Sequence, residues 1–575
     1  GLDRQAARIR EICETNGCRE VRAAADTQAR NRLWEGRRGA FGAVARLAPN
    51  YLVNDCVVPR TRLPEALARV AEIVTRHGFE HGNVFHAGDG NLHPLILFDS
   101  REPGAIERVH AAGWEIMLAC VALGGTISGE HGIGLEKMEG MRLVFSDDDI
   151  DAQRAVRQAV EPSGRLNPGK VLPDTSTPFA YREQAAWPAA VDALSAAEGE
   201  VAAAVARALA AGEALQVAGG GSLAGFGNAP ARPLAPLRTE GLAAIAEIDP
   251  SNQFVTAGAG VTIEALQAAL AAHNQWLPLR PAFALGRRTL GGVTATGAGG
   301  PEGHAYGAPR KLLLGLRFVD GRGRLIAAGG KVVKNVAGYD LTRLLAGSAG
   351  TLGVITRVVY RTATRPERCA MISAAGGLEA CAGLAAQALG SSLGAVFAAA
   401  EPEDGEDRWR LRIGFEGFPD TVAAQLARAG ALLAAAGFED AGTADYDVID
   451  GPFGALYSRI ADRAFVFRAG APADRAAEAA RMLGRQAGRG PMLIDFGFGR
   501  ILLGIGELED AAWRGIGERM RALDGHVQIE KAPDEFKGRH DVFGPARPEW
   551  RLMHRVKEAL DPRGVFCPGT MPGRR

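Results

Sequence analysis

The residues with the clearest chemical potential lie in the octapeptide HAGDGNLH and in the later segment GEHG. His86 and His93 close the two ends of the octapeptide, and its glycines permit the turns that would bring both imidazoles to one point. Two neutral imidazoles suit a borderline divalent cation such as Zn²⁺, Mn²⁺ or Fe²⁺. Glu130 can supply a third ligand, and the adjacent His131 then remains available as a base. The pattern predicts a metal site formed by His86, His93 and Glu130.

The alternative is that His86 and His93 are ordinary loop histidines that hydrogen-bond to the backbone. Five of the eleven histidines, however, lie between residues 77 and 110, and a separate Glu-His pair accompanies them. Since converging ligands make a metal site where a single residue does not, we favour the metal site.

Three glycine-rich segments form a second candidate site: AGGGSL at 218 to 223, TLGGVTATGAGG at 289 to 300 and KVVKNVAGYDLTRLLAGSAGTLGVIT at 331 to 356. Successive backbone N–H groups after a strand can bind a pyrophosphate. Glycine makes up 75 of the 575 residues, so each segment taken alone indicates only a turn. No G-x-G-x-x-G pattern opens a helix after a strand, so a Rossmann domain and NAD are not expected.

Length and composition limit the classes of protein that fit. A chain of 575 residues suggests three or four domains. Lys plus Arg equals Asp plus Glu at 66 each, which gives no support to nucleic-acid binding. The seven cysteines form no CxxC pair and fit a reducing compartment, and no apolar run is long enough to span a bilayer. We therefore expect a cytoplasmic protein.

The chain carries two segments that resemble the end of a protein, EPSGRLNPGKVLPD and DPRGVFCPGTMPGRR. Helical and strand patterns before each indicate two comparable α+β units, with a strand-rich region between them. We predict an α+β unit at 1–175, a linker at 176–194, a strand-rich domain at 195–365 and a second α+β unit at 366–575. The first residue is Gly rather than Met, so a segment upstream is also expected.

HAGDGNLH, GTISGEHGIGLEKM and LWEGRRGAFGAVARLAPNYLVNDCVVPR resemble the C-terminal domain of flavin-dependent D-2-hydroxyacid dehydrogenases, above all that of the D subunit of glycolate oxidases. This resemblance covers nearly all of residues 1 to 174. It implies that His86, His93 and Glu130 hold a divalent metal that chelates the substrate and that His131 takes the hydroxyl proton. It also implies that Arg37 clamps the substrate carboxylate, although a solvated surface charge explains Arg37 equally well.

VVKNVAGYDLTRLLAGSAGTLGVIT, GHVQIEKAPDEFK and DPRGVFCPGTM resemble the E subunit of the same enzymes and, more broadly, flavin-binding domains of the vanillyl-alcohol-oxidase type. The resemblance covers roughly residues 195 to 572 and implies FAD held by loops at 219 to 223, 289 to 297 and 348 to 355. The implied FAD-binding residues are Gly219, Gly220, Gly221, Ser222, Leu223, Gly291, Gly292, Thr296, Gly297, Ser348, Gly353, Val354 and Ile355.

The expected fold is therefore α+β, with a vanillyl-alcohol-oxidase-type FAD-binding domain flanked by two α+β cap domains, which are FAD-linked oxidase C-terminal domains. The second cap contains His526, His540 and His554 but no metal motif, so we interpret these histidines as structural. His304 lies among the flavin segments and is a candidate for a covalent flavin link.

The favoured function is flavin-dependent oxidation of glycolate or D-lactate to the 2-oxo acid, with electrons passed to an iron-sulfur subunit. A 2-hydroxy acid offers two oxygens to a cation, which stabilises the developing alkoxide, and the hydride needs an acceptor such as flavin. One alternative is a non-catalytic FAD-binding electron-transfer or assembly subunit. Another is metal-dependent hydrolysis at His86, His93 and Glu130.

The resemblance also leaves the flavin partner of the metal-bearing unit open. A D-type FAD domain could lie upstream or on a separate chain. In a third arrangement, which we favour least, the metal-bearing cap closes over the flavin domain that follows it. Partner subunits could also place the protein peripherally at the inner membrane.

Overall fold

The computed structural model describes residues 2–44, 46–185, 194–223, 225–282, 287–404 and 407–573. The chain divides into two units. Unit 1 comprises residues 1–146, 169–189 and 330–339, and unit 2 comprises residues 147–168, 190–329 and 340–575. Each unit combines helices with sheets, which confirms the predicted α+β class.

Unit 1 is built on a four-stranded antiparallel sheet in which β4 is central. Its elements are α1 (Leu2–Thr15), α2 (Thr27–Val44), β1 (Asn50–Val53), β2 (Cys56–Val57), α3 (Leu63–Arg76), β3 (Glu80–His86), β4 (Asn91–Phe98), α4 (Ala105–Ala122) and α5 (Met141–Val144). β4 pairs with β3 on one side and with β1 and β2 on the other. Its side chains are buried along almost the whole strand, as expected for a central strand covered by helices.

The first half of unit 2 surrounds a five-stranded sheet. Its elements are α6 (Asp147–Val160), α7 (Ser195–Ala211), β5 (Ala214–Ala218), β6 (Leu234–Arg238), β7 (Ile245–Asp249), β8 (Phe254–Gly258), α8 (Ile263–Ala271), β9 (Gln275–Trp276), α9 (Leu290–Thr296), α10 (Gly303–Tyr306), α11 (Pro309–Leu312), β10 (Leu313–Val319), β11 (Leu325–Gly329), α12 (Leu341–Leu345), β12 (Val354–Arg361) and β13 (Ala363–Thr364). The sheet order is β11-β10-β12-β8-β7, and β10 and β11 form an antiparallel hairpin. β5 and β6 form a separate parallel pair.

The second half of unit 2 is organised by an eight-stranded sheet. Its elements are β14 (Arg368–Gly376), α13 (Leu378–Gly390), β15 (Phe397–Pro402), β16 (Trp409–Gly417), α14 (Pro419–Ala435), β17 (Glu439–Asp445), α15 (Gly454–Ala461), β18 (Phe465–Gly470), α16 (Ala476–Ala487), β19 (Met492–Asp495), β20 (Arg500–Ile505), α17 (Asp510–Ala522), β21 (His526–Lys531), α18 (Asp534–Arg539) and α19 (Trp550–Leu560). The strand order is β17-β14-β16-β15-β19-β20-β18-β21. The apolar faces of α13, α14, α16 and α17 join its strands in one hydrophobic core.

The two units do not follow the predicted domain division. The last helix of the first predicted cap, α6, belongs to unit 2, and residues 330–339 of the predicted flavin domain belong to unit 1. The four-part division stays a prediction about the origin of each segment. Of the predicted linker at 176–194, residues 186 to 193 lie outside the described residues.

The helices that precede the two endings, α6 and α19, pack against each other in unit 2. Ala152 and Val156 of α6 share one hydrophobic core with Val556 and Leu560 of α19. The two repeated segments of the sequence therefore begin side by side in the fold.

An acidic residue organises the turn at each ending. Asp561 is buried, and its carboxylate accepts hydrogen bonds from the backbone N–H groups of Val565 and Phe566, both at 2.8 Å. Glu161 is half-buried in an exposed turn and similarly accepts from the N–H of Ser163 at 2.9 Å and of Leu166 at 3.2 Å. The repeated pattern of acid, Pro and Gly thus encodes a carboxylate-stabilised turn.

Replacing Asp561 with Asn should destabilise unit 2 by roughly 3–5 kcal/mol, because it leaves the buried ammonium of Lys557 without its carboxylate partner. Glu161→Gln removes the corresponding charge from an exposed turn and should leave stability nearly unchanged. Denaturant unfolding of the full chain, followed by tryptophan fluorescence, measures both. Equal effects of the two substitutions would contradict this account.

Candidate metal and flavin sites

The hairpin of β3 and β4 positions the two histidines of the octapeptide. His86 pairs with Asn91, and Val84 pairs with His93, so His86 and His93 are diagonal neighbours on one face of the hairpin. Their ring centroids are 5.5 Å apart. Gly90 has a φ of 72°, and a Cβ there would lie 2.0 Å from the carbonyl oxygen of Val58. The tight turn therefore requires a glycine at this position.

A buried aspartate, Asp55, shapes the loop that carries Glu130 and His131. One oxygen of its carboxylate accepts hydrogen bonds from the backbone N–H groups of Gly129, Glu130 and His131 at 3.0, 2.8 and 2.8 Å. The other accepts from the side-chain amide of Asn91 at 2.7 Å. Because three consecutive N–H groups point at one oxygen, the backbone of this loop has little freedom.

Charge and hydrogen bonding hold Asp55 in its ionised form. Burial acts to raise the pKa of Asp55, but the N–H donors of His131 and Glu130, the amide of Asn91 and the ammonium of Lys137 outweigh it. The pKa of Asp55 consequently lies well below its ordinary value. The sequence analysis missed this residue. An acid within the apolar run YLVNDCVVP was the signal that could have found it.

The predicted ligands His86, His93 and Glu130 converge. Nε2 of His86 lies 3.7 Å from Oε2 of Glu130, and Nε2 of His93 lies 3.5 Å from the same oxygen. The three candidate ligand atoms all lie within 4.8 Å of one another. Ligand atoms at metal distances of about 2.0–2.2 Å in a tetrahedral site are about 3.3–3.6 Å apart. The donor set therefore fits one divalent cation with a small adjustment of side chains.

His93 is prepared for ligation by its surroundings. Burial lowers its pKa and so favours the neutral imidazole that a metal requires. Its Nδ1 lies 3.6 Å from Oδ1 of Asp55 and, within the described part of the chain, has no hydrogen-bond partner. A carboxylate behind a histidine is a common support for a metal ligand.

The structure places the other two predicted catalytic residues differently. The His131 ring stacks on the His93 ring, with centroids 5.1 Å apart and an interplanar angle of 15°, so His131 lies beside the predicted ligands. Arg37 is half-buried on α2. None of the ion pairs found among the described residues joins Arg37 to Glu130 or to either ligand histidine.

Lys334 is an unexpected member of the cluster. Its ammonium is hydrogen-bonded to Oε1 of Glu130 and lies 3.1 Å from Oδ2 of Asp89. The hydrogen bond from Lys334 is the largest cause of a lowered pKa at Glu130. The sequence analysis had placed Lys334 in the third glycine-rich segment, and no local pattern connects it to residues so distant in the chain.

The three predicted flavin loops contact one another in unit 2. A Cβ at Gly219 would lie 2.3 Å from Oγ1 of Thr289, and one at Gly220 would lie 1.4 Å from the carbonyl oxygen of Arg287. The N–H of Gly347 donates to the carbonyl oxygen of Thr294 at 3.0 Å. The first loop thus packs closely before α9, and the third loop packs against α9 itself.

The remaining predicted flavin residues fall into two groups. Those in the loops or on α9 are Gly221, Ser222, Leu223, Gly291, Gly292, Thr296, Gly297, Ser348 and Gly353, of which Gly291 and Gly353 are buried. Ser348 Oγ is buried and has no hydrogen-bond partner within the described residues, as expected for a group that a ligand satisfies. Val354 and Ile355 are buried on β12 in the core of the five-stranded sheet.

A cavity of about 460 Å³ adjoins these loops in unit 2. Gly297 and the following glycine-rich segment line one side, and Arg468, Arg500 and His526 of the eight-stranded sheet line another. Arg500 donates to the carbonyl oxygen of Gly299 at 2.9 Å. Arg468 and Arg500 were not predicted as site residues. The walls of the cavity come from segments that are distant in the chain, so no local sequence pattern connects them. His304 lies on α10, near Gly497.

Two protein-family models match the chain. The C-terminal domain of FAD linked oxidases matches residues 2–171 and 545–571, so most of each ending falls within its matches. A FAD binding domain matches residues 189–329. These matches confirm the predicted FAD-binding and FAD-linked oxidase C-terminal domains.

Three curated relatives are each similar to a part of the chain. Glycolate oxidase subunit GlcD of Escherichia coli (strain K12) is 46% identical over 166 residues, 29% of this chain and 33% of the relative. Glycolate oxidase subunit GlcE of the same organism is 40% identical over 122 residues, 21% of this chain and 35% of the relative. D-lactate dehydrogenase of Archaeoglobus fulgidus is 40% identical over 143 residues, 25% of this chain and 32% of the relative. The chain thus spans about a third of the length of each of these relatives.

Replacing Asp55 with Asn should release the loop at 129 to 131, because Asn is uncharged and has only one acceptor atom, which cannot serve both the three N–H groups and the amide of Asn91. We expect a loss of roughly 3 kcal/mol in stability and faster amide hydrogen exchange at these residues. Exchange followed by mass spectrometry on the full chain measures the effect. Asp99→Asn is the control, since its partner Arg101 is largely exposed. Unchanged exchange at 129 to 131 in Asp55→Asn would contradict the role of Asp55.

Proposed function

We propose that this FAD-linked oxidoreductase, which carries a FAD-linked oxidase C-terminal domain and a FAD-binding domain, oxidises glycolate or D-lactate to the corresponding 2-oxo acid. The observation that carries the proposal is the convergence of His86, His93 and Glu130 with His131 beside them. The four residues lie within the match to the C-terminal domain of FAD linked oxidases, and relatives named glycolate oxidase subunit and D-lactate dehydrogenase are similar to parts of the chain.

His86, His93 and Glu130 would hold a divalent cation, either Zn²⁺, Mn²⁺ or Fe²⁺, which would polarise the hydroxyl of a chelated 2-hydroxy acid. Asp55 supports two of these ligands. Its carboxylate lies behind the His93 imidazole and accepts a hydrogen bond from the backbone N–H of Glu130. No residue of the set needs to move far to share one cation, because the atoms are already close together.

His131 would accept the hydroxyl proton at a ring nitrogen. Its backbone is fixed by Asp55 and its ring by stacking on His93, whereas the residue itself is exposed and so open to substrate. Arg37 would bind the substrate carboxylate, a role that depends on the position of α2 when substrate is bound. A solvated surface charge remains the alternative for Arg37.

The three glycine-rich loops of unit 2 would bind FAD, which supplies the hydride acceptor that no side chain offers. The close packing at Gly219 and Gly220, the unpartnered hydroxyl of Ser348 and the adjoining cavity support this assignment. An iron-sulfur subunit would receive the electrons. A D-type FAD domain, upstream or on a separate chain, is the alternative hydride acceptor for the metal-bearing unit. Among the described residues, no helix is long and apolar enough to cross a membrane. Partner subunits would place the protein peripherally at the inner membrane.

A second candidate function is that of a FAD-binding electron-transfer or assembly subunit without turnover. The observation that favours it is the distribution of ligands. Within the described part of the chain, the one group of metal-ligating side chains found lies in unit 1, whereas the predicted flavin loops lie in unit 2. Oxidation of a 2-hydroxy acid by the purified chain separates the two functions.

Glycolate or D-lactate should bleach the flavin absorbance of the purified, metal-loaded protein under anaerobic conditions. His93→Ala should slow the bleaching by at least about a hundredfold, because it removes a buried ligand of the cation that acidifies the hydroxyl. His110→Ala, an exposed histidine on α4, is the control and should bleach at the normal rate. A yellow protein that neither substrate reduces would favour the electron-transfer subunit, and a colourless zinc protein would favour metal-dependent hydrolysis.

Gly220→Ala should abolish FAD binding, because its Cβ would lie 1.4 Å from the carbonyl oxygen of Arg287 and would force the first loop away from the residues before α9. The ratio of flavin to protein absorbance after purification measures the loss. Gly199→Ala on α7, where a Cβ meets nothing within 4 Å, should keep a full complement of FAD. Normal FAD content in Gly220→Ala would argue against this loop as part of the flavin site.

A further inference from the structure

The candidate metal centre already contains one cation, the ammonium of Lys334. Its Nζ is bonded to Oε1 of Glu130, whereas Oε2 of the same carboxylate faces His86 and His93. Asp89, from the turn between the two histidines, approaches the ammonium at 3.1 Å. Lys334 therefore lies between two carboxylates, of which only Glu130 belongs to the predicted ligand set.

The backbone around Lys334 is fixed on the loop that carries Glu130. The N–H of Val336 donates to the carbonyl oxygen of Ser128 at 3.2 Å, and Thr126 Oγ1 donates to Oδ1 of Asn335 at 3.4 Å. The Lys334 side chain is only 24% exposed. The chain directly after Lys334 is therefore held against residues 126 to 128, and the partly buried Lys334 side chain extends from a fixed backbone.

The ammonium of Lys334 and a bound divalent cation would compete for the carboxylate of Glu130. Glu130, Asp89 and the ammonium of Lys334 together carry a net charge of −1, and the ionised carboxylate of Asp55 lies behind His93, so the cluster attracts a divalent cation. A cation bound through Oε2 of Glu130 would withdraw electron density from the carboxylate and repel the nearby ammonium. Asp89 can then compensate Lys334 without being a ligand.

We propose that Lys334 is an exchangeable internal cation of this centre: it neutralises Glu130 when no metal is bound and is held by Asp89 alone when a divalent cation takes Glu130. This inference rests on the metal site of the proposed function. Residues 330–339, which the sequence places in the flavin-binding region, thereby set the affinity of a metal site built from residues 86 to 130. Lys334 and Asp89 are positioning residues and do not themselves coordinate the cation.

The proposal predicts opposite effects for the two residues. Lys334→Met removes the competitor and should tighten Zn²⁺ binding by about tenfold, the order expected for one nearby charge at a partly exposed site. Asp89→Asn removes the alternative partner of the ammonium and should weaken binding by a similar factor. In the double variant the weakening should largely disappear, because Asp89 acts through Lys334. Lys334→Arg should remain near the wild-type affinity.

The dissociation constant for Zn²⁺ is measured on the full-length, FAD-loaded chain by competition with a fluorescent chelator, so the readout is independent of turnover. Arg101→Met and Asp99→Asn are matched controls, since this ion pair lies at the far end of β4 from His93 and should leave the affinity unchanged. Lys334→Gln is a second variant if Lys334→Met folds poorly, as judged by circular dichroism.

The proposal that Lys334 exchanges Glu130 for Asp89 would be overturned if Lys334→Met bound Zn²⁺ more weakly than the wild type or equally well. It would also be overturned if Asp89→Asn changed the Zn²⁺ affinity equally with and without Lys334. Those results leave the metal centre itself intact, because the wild-type chain would still bind Zn²⁺ and His93→Ala would not. A wild-type chain that binds no Zn²⁺, Mn²⁺ or Fe²⁺ would instead remove the metal centre of the proposed function and this inference with it.

Discussion

The candidate site depends on one buried carboxylate. Asp55 accepts three consecutive backbone N–H groups of the loop at 129 to 131, and it is fully excluded from solvent. Without this anion, three buried donors would lack an acceptor, at a cost of about 1–3 kcal/mol each. The same carboxylate lies behind His93. One residue therefore couples the position of the acidic ligand, the candidate base and a ligand imidazole, and the direction of the remaining side chains follows from it.

Sequence patterns predicted the parts of the site that depend on local geometry. His86 and His93 converge because a hairpin with a glycine-containing turn places residues on matched positions of neighbouring strands on the same face. Asp55 and Lys334 escaped prediction because each acts through contacts distant in the chain. A single acid in an apolar run or a lysine in a glycine-rich segment has many possible partners, and only the fold selects among them. Arg37, chosen by resemblance alone, is not joined to the cluster by any described ion pair.

The fold shows the same division between local and long-range information. The α+β character of the two segments before the endings could be predicted, because helical and strand patterns depend on neighbouring residues. The two endings were recognised as similar, but their packing was not predictable. α6 belongs to the first α+β segment of the sequence but packs on α19 in unit 2. The helices that precede the two similar endings therefore contact each other. Conversely, residues 330–339 belong to the predicted flavin-binding domain in the sequence but to unit 1 in the structure.

The two endings also show why similar sequence patterns need not contribute equally to stability. In both, an acid before Pro accepts backbone N–H groups of the following turn. Asp561 does so in the core, with the ammonium of Lys557 bonded to it and to the carbonyl oxygens of Thr351 and Phe566. Glu161 does so at the surface, where water can replace each of its hydrogen bonds. Because an unpaired charge in the core has no access to solvent, the buried turn at Asp561 contributes to the stability of unit 2. The turn at Glu161 is only a local preference of the chain. The chemistry of a motif is therefore fixed by its residues, but its energetic weight is fixed by its environment.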